Sequence, residues 1–286
     1  MAKQGCAYRG LKMKYDLGSD LHVDINARLG MLDFATLKNE GSETLVLAGD
    51  ISNDPALTLR VVSEAAQVYE NVIFIDGNHE HYGNLYNGRN VSFTTKYLKK
   101  EAKKIPNISY LKGNNSVFID GVLFVGANCW YDFKMQPSQY SFDMAKAIWG
   151  KYMNDKKLAV FDKEPEIYAE EQTNDIMKQV VDAQINPLVE NIVMVSHTIP
   201  SPKGLVVKYE PIWDALNGAF GCTAIHKIFN ADINKKIIHS VFGHTHYPYD
   251  FDDFDGIRFI CNPRGYYGVE PQTEKWTLLQ LDTDNR

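Results

Sequence analysis

Seven side chains in this 286-residue sequence have the types and spacing to hold metal ions. They fall in five short polar stretches: Ser19-Asp20-Leu21-His22, Gly49-Asp50, Gly77-Asn78-His79-Glu80, Ser196-His197 and Gly243-His244-Thr245-His246. Asp20, His22, Asp50, Asn78, His197, His244 and His246 make a mixed oxygen and nitrogen set that suits borderline divalent metals. No thiolate stands among them. That points away from structural zinc and towards a catalytic pair of ions.

Such a set works only if the chain brings its members together. Three of the stretches follow short β-rich runs: Leu45-Val46-Leu47 before Asp50, Val72-Ile73-Phe74-Ile75 before Asn78, and Ile192-Val193-Met194-Val195 before His197. In an α/β sheet the carboxyl ends of the strands gather in one crevice, so polar groups far apart in sequence converge there. Met13 to Gly18 leads into Asp20, and a strand over residues 237–242 feeds His244 and His246. Residues 55–70 carry apolar side chains at helical spacing, with Asn53 or Asp54 as N-cap and Pro55 in the first turn. The resulting strand-helix-strand unit implies a parallel pair with a right-handed crossover. Gly77 then frees the backbone to set Asn78 and His79 side by side.

Further helices are expected over residues 94–104 and 219–229, a strand over 122–125, and a closing hairpin with Asp255-Gly256 at its turn. Residues 136–187 show no strand signal and read as a helical insertion bordering the cleft, with an amphipathic helix from Glu164 to about Val181. Trp149, Tyr152 and Met153 need burial, so the insertion belongs to one domain spanning 1–286. For residues 1–12 two readings stand: a natural start at Met13, or a loosely attached arm.

Composition bounds the class. A hydrophobic content of 44% with 12% aromatic residues is ample for a large core. The net charge of −6 argues against stable, non-specific nucleic-acid binding. Cys6, Cys129, Cys222 and Cys261 are scattered without a C-x-x-C spacing and read as reduced thiols of a cytoplasmic protein. No apolar run approaches a membrane span and no signal-peptide pattern is present.

The five blocks, D-x-H, G-D, G-N-H-E, H and G-H-T-H, resemble those of the calcineurin-like metallophosphoesterases of bacterial and phage type, in the same order from Asp20 to His246. The resemblance implies an α/β fold, a four-layer α-β-β-α sandwich of two mixed sheets flanked by helices. It implies two divalent ions, with Asp50 bridging. One ion would take Asp20, His22, Asp50 and His246, and the other Asp50, Asn78, His197 and His244. Manganese, iron, zinc, cobalt and nickel all suit histidine with carboxylate. The implied reaction is hydrolysis of a phosphate ester by a metal-bridging hydroxide, because metal lowers the pKa of water from about 15.7 to roughly 7. His79 is then the candidate proton donor or phosphate contact, assisted by neighbouring acids such as Glu80. Asn78 also faces the substrate. His22 and His246 should each offer one ring nitrogen to metal and the other to an acceptor behind. The close, Asn262-Pro263-Arg264-Gly265-Tyr266, also resembles family members. Arg264 is a candidate clamp on a phosphate oxygen, with a structural salt bridge the alternative.

Blander readings are preferred elsewhere. Asp24 reads as a loop carboxylate, His81 as a neighbour of the site and not a ligand, His239 as a packed histidine, and Trp130 as a core or rim aromatic at least as readily as a base-stacking one. The expected substrate is a small phosphorylated metabolite, nucleotide or cyclic nucleotide, monoester or diester, with no membrane partner. Two other readings remain open from sequence. A serine/threonine protein phosphatase would need arginines beside G-D and G-N-H-E, and Arg60 and Arg89 are poorly placed. A non-catalytic scaffold would have eroded ligand positions, and here all seven are intact.

Overall fold

Alternation in the apolar runs sets the layers. In the computed structural model, which describes residues 13–205 and 211–284, the strands in chain order are β1 (Lys14–Gly18), β2 (Thr44–Ala48), β3 (Asn71–Ile75), β4 (Ile108–Tyr110), β5 (Ser116–Ile119), β6 (Val122–Ala127), β7 (Asn191–Ser196), β8 (Ile237–Phe242), β9 (Tyr249–Asp253), β10 (Ile257–Cys261) and β11 (Leu279–Asp282). The arm expected at residues 1–12, with Cys6, lies outside the described residues. One sheet has the order β11-β1-β2-β3-β4 and the other β5-β6-β7-β8-β10-β9. Both are mixed: β1 to β4 run parallel with β11 antiparallel, and β6, β7, β8 and β10 run parallel between antiparallel β5 and β9.

Because strand side chains alternate faces, a strand buried on both sides reads as a continuous apolar run. Val46, Ile73, Ile75, Val193 and Val195 point into a layer between the sheets, with Tyr15, Phe124, Val241 and Ile260. Their neighbours Leu45, Leu47, Val72 and Phe74 face outwards onto Val61, Val62 and Leu98. Ile192 and Met194 face outwards on the other side, onto Ile176, Val180 and Ile228. Three apolar layers separate four layers of structure, which is the expected sandwich of two mixed sheets flanked by helices.

The helices are α1 (Phe34–Leu37), α2 (Pro55–Ala65), α3 (Asn84–Asn87), α4 (Val91–Ala102), α5 (Phe142–Tyr152), α6 (Asp155–Leu158), α7 (Pro165–Ile185), α8 (Pro211–Leu216) and α9 (His226–Ala231). Asp54 caps α2 by accepting the Ala56 N–H at 2.8 Å, and Asn90 caps α4 by accepting that of Phe93 at 2.8 Å. That cap starts α4 three residues before the expected position. The stretch at 136–187 carries α5, α6 and α7. The single helix expected over 219–229 is broken into the 3-10 turns Asn217–Ala219 and Thr223–Ile225 followed by α9. Gly221 interrupts it: the residue bridges to Ile199, and a Cβ there would collide with Met135 Sδ. Cys129, Cys222 and Cys261 are buried free thiols. No helix among the described residues is long and apolar enough to cross a membrane.

Candidate metal centre

The five polar stretches leave their strands at one edge of the sandwich, three of them through strained turns. Asp20, His22, Asp50, His244 and His246 all have positive φ, between 43° and 80°. Non-glycine residues pay about 1–2 kcal/mol each for that region, so the surroundings must over-determine it. Backbone bonds do so: the Asp20 N–H donates to Gly49 O at 3.0 Å, that of His22 to Asp50 O at 3.1 Å, and that of Gly243 to His197 O at 3.1 Å. Glu80 reinforces the same turns. Its carboxylate accepts backbone N–H groups from Gly77 at 2.7 Å, Ile51 at 2.7 Å, Asp50 at 3.1 Å and Ser52 at 3.2 Å. Gly49 must be glycine on two counts, a φ of +84° and a Cβ position only 2.7 Å from His197 Nδ1. The conformational freedom expected of Gly77 is not what its position uses. Its φ is not in the left-handed region, and the constraint is space, since a Cβ would collide with Asp50 Oδ1.

The result brings together all seven side chains expected to bind metal. Asp20, His22, Asp50 and His246 each offer an atom within 4.8 Å of the others, and Asp50, His197 and His244 form a second such group. Asp50 belongs to both. Its Oδ2 lies 3.3 Å from His197 Nε2 and 3.9 Å from His22 Nε2. Asn78 Oδ1 completes the second group, 3.0 Å from both His197 Nε2 and His244 Nδ1. The other ring nitrogens are held from behind by Ala48 O for His197 (2.9 Å), Ala219 O for His244 (3.3 Å) and Glu270 Oε1 for His246 (3.2 Å). His22 departs from expectation: its Nδ1 is buried without a partner.

Charge and burial fit a divalent pair. Asp20 Oδ2 is a buried acceptor without a hydrogen-bond donor, a pattern that suits a cation ligand. Burial raises the Asp20 carboxyl, partly offset by His246 and His197. Burial would also raise Asp50, but His197 and His79 outweigh it and hold Asp50 well below the usual carboxylate range. His197 is lowered by burial yet lifted further by Asp50, to about 10. His244 is pushed down to about 3, first by burial and then by His197. The donor set is thus anionic at its centre and ringed by imidazoles.

His79 stands beside this cluster. Its backbone N–H donates to Asp50 Oδ1 at 2.8 Å. Its Nδ1 lies 2.6 Å from Asn53 Oδ1, an acceptor, which fixes Nδ1 as the protonated nitrogen. Nε2 then accepts from the Tyr266 hydroxyl at 3.1 Å. The expected help from Glu80 is absent because Glu80 is committed to backbone N–H groups. Burial lowers the His79 pKa, opposed by Asp50 and Asp155. Tyr266 also lays its ring against His22 and His246, with centroids 4.6 and 4.5 Å away.

A cavity of about 360 Å³ opens over Asp50, Asn78, His79, His244 and His246. Its walls are aromatic: Tyr82, Tyr152, Trp213, Phe220, Tyr247 and Tyr266. Trp213 and Phe220 stack with centroids 6.2 Å apart. Arg264 does not reach it. That residue is 5% exposed, and its guanidinium donates to Leu21 O at 3.5 Å, so its position supports neither a phosphate clamp nor, among the described residues, a salt bridge. Its backbone matters more, since the Arg264 and Gly265 N–H groups donate to Ser19 O and Asp20 O, both at 3.0 Å. Trp130 is fully buried against Phe161 and His81, a core aromatic. His81 pairs with Asp76 at 2.7 Å, and His239 Nδ1 accepts from or donates to the Tyr15 hydroxyl at 2.8 Å. Asp24 accepts the Asn53 N–H at 3.2 Å. Sequence reasoning missed Asn53, Tyr82, Tyr266, Glu270 and the aromatic wall. Tyr82 and Tyr266 adjoin recognised motifs, which was the available signal. Glu270 and Trp213 carried none.

Fold and donor set define an α/β sandwich with a carboxylate-imidazole cluster shaped for two divalent ions. Residues 13–248 match the calcineurin-like phosphoesterases, and the chain belongs to that family. An uncharacterised protein, L509, of Acanthamoeba polyphaga mimivirus is 24% identical over 92% of this chain and 95% of its own. Among solved structures, the phosphopantetheinyl hydrolase PptH of Mycobacterium tuberculosis superposes with a TM-score of 0.70 at 19% identity, covering 95% of this chain and 96% of that one. A dimetal phosphatase from Danio rerio superposes with a TM-score of 0.54 at 14% identity, covering 94% and 91%.

Proposed function

We propose that this chain hydrolyses a phosphate ester of a small molecule, using two divalent ions held by Asp20, His22, Asp50 and His246 on one side and by Asp50, Asn78, His197 and His244 on the other. The observation that carries this reading is the sharing of Asp50 by two donor groups beneath a cavity. When bound, the ions acidify a water and neutralise phosphate oxygens. The chain's own part is to orient and to move protons. His79 Nε2, beside the cavity, is placed to give a proton to the departing oxygen, and a bound phosphate anion favours the protonated ring. Tyr266 holds Nε2 in place until substrate arrives.

Diesters are favoured over monoesters. A monoester carries about −1.5 to −2 charges near pH 7, and proteins commonly meet the second charge with Arg or Lys. Neither residue lines the cavity among the described residues. The aromatic walls instead suit a second, uncharged arm on the phosphate. The test is metal analysis of the purified protein, then a comparison of bis(nitrophenyl) phosphate with nitrophenyl phosphate. The diester should win in kcat/KM by at least about tenfold, or roughly 1.4 kcal/mol. A reversed ratio sinks the diester preference. A metal-free protein inactive on both, even after metal is added, sinks the wider reading.

A further inference from the structure

Asp155 opens α6, outside the five polar stretches that carry the proposed metal ligands, yet it is fully buried and touches one of those ligands. Its Oδ1 accepts from Asn78 Nδ2 at 3.0 Å and from the Tyr82 hydroxyl at 2.5 Å. Its Oδ2 accepts from the Tyr131 hydroxyl at 3.0 Å. Asn78 Nδ2 also donates to the Tyr82 hydroxyl at 2.9 Å. Both amide hydrogens of Asn78 are therefore spent on the Asp155 side, which leaves Oδ1 as the atom facing His197 Nε2 and His244 Nδ1, 3.0 Å from each.

An amide can be turned over with almost no change in shape, and only its partners decide which end faces where. An ionised carboxylate accepts and never donates. A flipped Asn78 would press its oxygen against Asp155 and leave both acceptors unmatched. It would also aim an NH₂ group at the metal position. The geometry points to Asp155 as the positioning residue of the second metal position: it holds the Asn78 carbonyl oxygen towards the ion. This inference rests on the two-ion reading above. The rival is a purely structural carboxylate that pins α6 to Tyr131.

The test titrates metal-free protein with Mn²⁺ alone and reads stoichiometry and affinity at each position. Wild type should bind two ions per chain; fewer than two defeats the two-ion reading itself, whatever Asp155 does. Asp155→Ala should keep one position at wild-type affinity and weaken the other about 10- to 100-fold, the usual cost of losing a group behind a metal ligand. Its isotherm should approach that of His244→Ala and not that of Asp20→Asn. Asp155→Asn, which keeps the volume, guards against misfolding and should show the same selective weakening to a smaller degree. Tyr131→Phe breaks the tie from α6 but leaves Asn78 held, so both affinities should stay at wild type. Equal weakening at both positions, or unchanged two-site binding in both Asp155 variants, would overturn the proposal.

Discussion

The two halves of the donor cluster are built differently. On the Asn78 side each ligand that is not shared is fixed by a second contact: His197 by Ala48 O, His244 by Ala219 O, and Asn78 by Tyr82 and Asp155. On the Asp20 side, Asp20 Oδ1 accepts the His244 N–H at 2.9 Å and His246 has Glu270 behind it, but His22 Nδ1 and Asp20 Oδ2 are buried without partners. A ligand with a fixed orientation loses less freedom on binding, so the Asn78 side is the better organised position. On the Asp20 side an ion would satisfy Asp20 Oδ2, while His22 Nδ1, across the ring from the Nε2 that faces the cluster, stays without a partner.

The largest effect tests what the halves share. Asp50→Asn should empty both positions and cut turnover by about 10³-fold or more, roughly 4 kcal/mol, whereas Asp20→Asn should empty one and do less harm. Near-normal turnover with two metals in Asp50→Asn removes the bridging role. Next comes the group that belongs to neither half. His79→Ala should retain both ions and slow hydrolysis by about 10²- to 10⁴-fold for alkoxide leaving groups, and by much less for nitrophenolate. Lost metal would make His79 a ligand, and equal slowing on both esters would leave it a phosphate contact only.

A smaller effect distinguishes the halves directly. A chelator should strip the Asp20 position first, giving a one-ion intermediate; simultaneous loss contradicts the difference in organisation. Protons report the same asymmetry. In metal-free protein His197, lifted to about 10, is protonated at pH 7, whereas His244, pushed down to about 3, is neutral. Metal must displace the His197 proton, so affinity at the Asn78 side should rise with pH, by up to about tenfold per unit, until about pH 10. Calorimetry in buffers of different ionisation heat reads this release, and a buffer-independent heat would refute it. The smallest effect concerns the wall. Trp213→Ala should raise KM for aromatic diesters a few-fold, about 1 kcal/mol, with kcat and metal content unchanged.

The metal cradle was legible because its determinants are local. A strand end, a glycine and a polar residue lie within three or four positions of each other, and the apolar runs that precede them alternate into two buried layers. Strand ends in one α/β edge converge whatever the loops do. The groups that finish the site were not legible, since each acts across long sequence separations. Asp155 meets Asn78 across 77 residues, Tyr266 meets His79 across 187, and Glu270 backs His246 from a segment without a motif. Arg264 shows the same limit in reverse: its motif adjoins the site, but packing turns its side chain away from the cavity. Which residues could hold metal was legible in the sequence from their types and their order in the five blocks. Which way an amide faces, which imidazole nitrogen carries a proton and what lines the cavity were decided only when the chain folded, because a side chain's partners, and not its identity, fix those choices.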